Sequence, residues 1–101
     1  MLSLAREALA LAAGRSRPSL DSDRVLELAL VRLLEIVGEA AARVSHETQE
    51  RYDEVPWPAI IGLRNRLIHG YDSVDLDVLW AIVSSDLPPL IERLEQIVAN
   101  R

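Results

Sequence analysis

Cysteine, lysine and phenylalanine are all missing from this 101-residue sequence, and each absence excludes something. Without cysteine there is no disulfide framework, no thiolate nucleophile and no thiolate metal site, which suits a reducing cytoplasm. Two histidines, His46 and His69, make a poor zinc site by themselves, so no metal and no cofactor is expected. No run approaches the apolar length that spans a bilayer, so no membrane contact is expected. The opening MLSLAREALALAAGR has Arg6 and Glu7 inside its apolar stretch and no basic region ahead of it, unlike a signal peptide. Acidic residues outnumber basic ones by 16 to 11, which argues against bulk, sequence-blind coating of nucleic acid. The lysine deficit has its own meaning. All 11 basic residues are arginine, either through genomic base composition or because a planar, permanently charged fork suits phosphate.

What is present reads as helix. Half of the residues are hydrophobic and 27% are charged, which fits one soluble globular domain over residues 1–101 with no room for a second. Strand-type alternation is absent, and Ala, Leu, Glu and Arg dominate. The expected fold class is all-α, a four- or five-helix up-and-down bundle. Leu2 to Ala13 forms a first helix, ended by Gly14 and Pro18. Asp21, Ser22 or Asp23 caps a second helix running to about Val44. Its polar positions Arg32, Glu35, Glu39 and Arg43 fall on one narrow stripe, leaving more than half of its circumference apolar. Such a helix is covered on two sides, by its own core and by a second copy, unless it runs through the centre of a monomeric bundle.

Ser45 caps a short third helix, and Pro58 sits in the first turn of a fourth, AIIGLRNRLIH, which stops at Gly70. The last helix carries its apolar phase through Pro88 and Pro89, which predicts a kink or brief break rather than a reversal. Trp57 and Trp80 read as core residues, His46 as a solvated helix residue, and Asp75 and Asp77 as first-turn acids.

The one dense cluster of reactive polar groups is Arg64-Asn65-Arg66-Leu67-Ile68-His69-Gly70-Tyr71. Arginine forks hold a phosphate and stabilise charge developing on it. Histidine near a helix C-terminus titrates near neutrality and moves a proton either way. That set suffices for phosphodiester transfer in RNA without a metal. The same residues also read as a surface ion pair, a helix-dipole partner and a core tyrosine with a wet tip. Geometry adds a difficulty, because five residues on one ideal helix put Arg64 and His69 about 140° apart. They converge if the last turn loosens before Gly70, if the arginine bends across, or if a second subunit completes the site.

Arg64, His69 and Tyr71 match the Arg-x-x-x-x-His-x-Tyr signature of the HepT-like toxins in the HEPN superfamily. The resemblance covers most of the chain. LLEIVGEAA (33 to 41), VPWPAIIGLRNRLIHGY (55 to 71) and VDLDVLWAIVSSDLPPLIERL (74 to 94) resemble the family's second helix, motif helix and last helix, in that order. The resemblance implies a cytoplasmic, homodimeric HEPN-like domain that acts as a metal-independent endoribonuclease on RNA, either tRNA or mRNA. It places Arg64 and His69 of both chains as catalytic residues in a cleft between the copies, with Asn65 and Arg66 positioning RNA. It also implies a partner, an MntA-type nucleotidyltransferase antitoxin that uses ATP to attach AMP to Tyr71. AMP there sets negative charge and bulk beside Arg64 and His69, in competition with an RNA phosphate. The first helix and its loop are shorter than is common in the family, so this is a compact member or its natural start lies upstream. The alternative is a non-catalytic dimerisation module that docks a nucleotidyltransferase or nucleotide, favoured by the acidic balance.

Overall fold

Residues 1–68 and 73–100 are described by a computed structural model, in which the chain is helical and no strand forms among the described residues. Helix α1, Leu2–Ala12, buries Ala5, Ala8 and Ala12 along one face, and these small side chains let it lie close against its neighbours. It ends at Gly14, whose φ of +75° is the left-handed geometry that glycine adopts without a Cβ penalty. A one-turn helix α2, Ser19–Ser22, leads into the longest element, α3, Arg24–Ala42. Of the three candidate caps for α3, Asp23 is the one used: its carboxylate accepts from the Leu26 N–H at 3.0 Å. Arg17 ties this entry to the far end of the molecule, donating to Asp77 at 2.7 Å and to Asp21 at 3.2 Å. Those hydrogen bonds, the Asp77 one first, push the Arg17 pKa above its ordinary value.

Helix α3 is the centre of the fold. Leu26, Leu30, Leu34, Val37 and Ala41 recur at helical spacing and are buried against α1 on one side and α5 and α6 on the other. At Gly38 the approach to α5 is so close that a Cβ would lie 2.9 Å from the Ile60 carbonyl oxygen. The expected second apolar side is also there. Val25 and Leu28 are exposed, while Ala29, Leu33, Ile36 and Ala40 are half-buried.

Ser45 caps α4, His46–Arg51, by accepting from the Thr48 N–H at 3.1 Å, and His46 stands in solvent as expected. The Val55-Pro56-Trp57-Pro58 stretch then turns the chain, anchored by buried Trp57, whose indole N–H donates to the Tyr52 carbonyl at 3.0 Å. The motif helix differs from the sequence expectation in two ways. It divides at Gly62 into α5, Trp57–Ile61, and α6, Leu63–Leu67, and it stops short of His69. Gly62 has φ −85° and ψ 7°, outside the helical range, and an added Cβ would sit 3.2 Å from the Pro58 carbonyl oxygen. The expected left-handed stop at Gly70 lies outside the described residues.

The last limb comprises α7, Leu76–Ala81, a π-helical segment, Ile82–Asp86, and α8, Leu87–Ala99, with no loop between them. Asp75 caps α7 by accepting from the Val78 N–H, and Asp77 lies in its first turn. Where Pro88 and Pro89 predict a kink, the chain widens by a π turn: the Leu87 N–H reaches back five residues to the Ile82 carbonyl. The Ser84 hydroxyl donates to the Trp80 carbonyl at 2.7 Å. Trp80 is half-buried against the core rather than enclosed by it. α8 packs back on α1, giving a slab with Cα extents of 41 × 29 × 16 Å. Its short dimension holds about two helix layers.

Candidate functional site on helix α6

Helix α6 is five residues long and held from below. Leu63 and Leu67, four apart, are buried, so the three residues between them point away from the core. Arg64, Asn65 and Arg66 are all exposed. The two arginines part to opposite flanks. Arg64 Nε lies 3.5 Å from Glu35 Oε2 on α3, and Arg66 Nη2 lies 3.5 Å from Asp86 Oδ2 on the π segment.

Glu35 is the better enclosed of these acids, with 19% of its side chain exposed, and it is shared. Arg32 Nη1 is 3.7 Å from both Glu35 and Glu39, so two guanidinium groups and two carboxylates meet on the flank where Arg64 lies. These separations exceed strong charge-assisted hydrogen bonds. Ion pairs this exposed are worth about 0–1 kcal/mol, so an incoming phosphate can draw Arg64 away at little cost. The sequence stripe of Arg32, Glu35 and Glu39 gave the signal for this cluster. Its link to Arg64, 29 residues further on, is a tertiary contact that periodicity does not contain.

The exit from α6 bears on the geometric difficulty. Ile68 has left the helix, with φ −109° and ψ 121°, and its N–H donates to the Arg64 carbonyl at 3.0 Å. Ile68 pairs with Val74 in an isolated antiparallel bridge, and the Asp75 N–H donates to the Leu67 carbonyl at 2.9 Å. The motif segment therefore leaves helical geometry before His69, and the 140° phase separation of an ideal helix does not apply. The candidate residues His69 and Tyr71 lie outside the described residues, between these two anchored ends. The same break accounts for Trp57 being buried while Arg64, seven residues on, is exposed.

Among the described residues, no group of three or more His, Asp or Glu is arranged to hold a metal ion. None of their helices is long and apolar enough to cross a membrane.

The helical domain presents an arginine from a short pinned helix, and a histidine and a tyrosine follow it in the sequence. The chain belongs to the HepT-like family: the model described as "Ribonuclease HepT-like" matches residues 1–97. Among curated proteins, it is 38% identical over 74 residues to "Putative RNase MJ1380" of Methanocaldococcus jannaschii, covering 73% of this chain and 68% of that protein. It is 38% identical over 76 residues to "Putative RNase TTE0752" of Caldanaerobacter subterraneus, covering 75% of this chain and 68% of that one. It is 36% identical over 75 residues to "Probable ribonuclease HepT" of Thermococcus cleftensis, covering 74% and 68%. No solved structure matches the chain.

Proposed function

We propose that the chain is a metal-independent endoribonuclease of the HepT type, the toxin of a toxin–antitoxin pair, acting on tRNA or mRNA in the cytoplasm. The observation that carries this is the exposed Arg64 on a helix that ends at Leu67, with His69 following, in a chain of the HepT-like family. The ribonuclease names of the relatives support the same reading. In this mechanism a base takes the 2′-hydroxyl proton, and the oxygen attacks the adjacent phosphorus. Arg64 steadies the charge that builds on the phosphate, and an acid protonates the departing 5′-oxygen. His69 serves in one of these two proton roles, and Asn65 and Arg66 hold the strand.

The site is completed by a second copy. Exposed Val25 and Leu28 on α3, with half-buried Ala29, Ile36 and Ala40 further along the helix, support a homodimer, because burying them removes apolar surface from water. Regulation is by AMP attached to the Tyr71 hydroxyl from ATP, with release of pyrophosphate, by an MntA-type nucleotidyltransferase. The new phosphate then competes with RNA for Arg64.

The test is cleavage of total RNA in EDTA by protein whose intact mass shows no AMP. The expected products end in 2′,3′-cyclic phosphate, and RNA with 2′-deoxy substitution at the cut position resists. Cleavage of the deoxy substrate, or dependence on added metal, overturns the mechanism. A folded dimer that cuts none of a varied RNA set turns the reading to a docking module.

A further inference from the structure

A cleft of about 330 Å³ opens beside α6 on the flank away from Glu35. Its apolar floor comes from Ile60 and Leu63 on one side and from Ile82, Leu87 and Leu90 on the other. Its rim carries Arg66, Ser85, Asp86 and Arg93. We propose that this cleft is a nucleobase subsite, which takes the base neighbouring the phosphate held at Arg64 and favours bases bearing an exocyclic amino group. The proposal rests on the ribonuclease reading and names a determinant of its substrate preference.

Three observations point to a base rather than to an apolar side chain. The first is position. Arg64 and Arg66 stand two residues apart on one short helix and turn to opposite flanks. A strand whose phosphate lies at Arg64 and which crosses Asn65 brings its next nucleotide to Arg66 and the cleft mouth.

The second is chemistry. The Arg66–Asp86 pair is loose, and both side chains are about half exposed, so it opens without a large cost. The freed Asp86 carboxylate accepts from an amino group, as carboxylates do on base edges. Uracil has no exocyclic amino group and offers a carboxylate only its N3–H, which is flanked by two carbonyl oxygens that the acid repels. Across the rim, Arg93 gives its terminal nitrogens to Glu54 and Gln96, while its Nε is buried with no hydrogen-bond partner.

The third is the π segment. Ile82–Asp86 departs from α-helical register at the cleft, and the departure turns Ile82 into the floor while Ser85 and Asp86 stand at the rim. Such π turns recur at functional sites.

The experiment measures fluorescence-anisotropy binding of short 2′-O-methyl oligonucleotides, which cannot be cut. The set carries A, C, G, U or an abasic residue at one position. The unmodified protein should bind the A, C and G probes at least about fivefold more tightly than U, with the abasic probe weakest. Ala59→Trp, which fills the cleft from an exposed position, should lower the base-bearing probes to the abasic level and leave the abasic probe unchanged. Asp86→Asn should erase the discrimination against U. Thermal melts establish that both variants are folded. If the parent binds all five probes alike while it cuts RNA, the subsite is refuted and the ribonuclease reading survives. If Ala59→Trp and Asp86→Asn discriminate as the parent does, the subsite is also refuted. If the parent binds no probe and cuts no RNA, both readings fall.

Discussion

Helix α3 and the α5–α6 segment start from similar sequence and end in different structures. Both are largely aliphatic, each carries two arginines, and both contain one interior glycine. α3 continues for 19 residues, while the motif segment breaks into two five-residue helices. The difference lies in what each glycine does. Gly38 keeps its helix intact and makes room for the Ile60 carbonyl of the neighbouring strand of chain. Gly62 leaves helical geometry, and Pro58 four residues earlier has no N–H to give the turn before it. One segment is a frame. The other is a short platform that carries Arg64, Asn65 and Arg66 outward and releases the chain at Ile68.

Substitutions can break that contrast in order of size. Leu67→Ala removes a fully buried side chain from under α6 and should cost about 2–5 kcal/mol, read by urea unfolding. Gly38→Ala should cost roughly 1–3 kcal/mol despite alanine's better helix propensity, because the atom it meets is backbone and cannot swing away. A Gly38→Ala protein as stable as the parent would show that the two segments are not pressed together. Asp23→Ala removes the α3 cap and should cost about 1 kcal/mol in the same assay. Arg64→Ala should change stability by less than about 0.5 kcal/mol, since its exposed pair with Glu35 contributes little. A large loss there would make Arg64 a structural residue.

Much of the frame was legible because its signals are local. Asp23 and Ser45 cap the helices that follow them, and Gly14 ends the first; Asp75, read as a first-turn acid, stands one position earlier as the cap of α7. The platform was less so. An isolated glycine in an apolar helical pattern does not announce a break, and the stop at Leu67 is accompanied by the pairing of Ile68 with Val74, a contact that helical periodicity does not contain. The two prolines marked the place of the irregularity in the last limb but not its form, a π turn in place of a kink. In the candidate site, Arg64 was singled out by its place in the polar cluster and by family resemblance. Its partner Glu35 and the cleft beside Arg66 depend on contacts between residues distant in sequence.

The central claim is that Arg64, on this platform, and His69, two residues past its end, act on one phosphate. The most direct measurement is the rate of RNA cleavage in chelator by the parent, Arg64→Ala, His69→Ala and the double variant. Residues that work as a unit are strongly non-additive, so each single change should abolish nearly as much activity as the pair. Independent, additive losses, or Arg64→Ala cutting at the parental rate, would contradict the account.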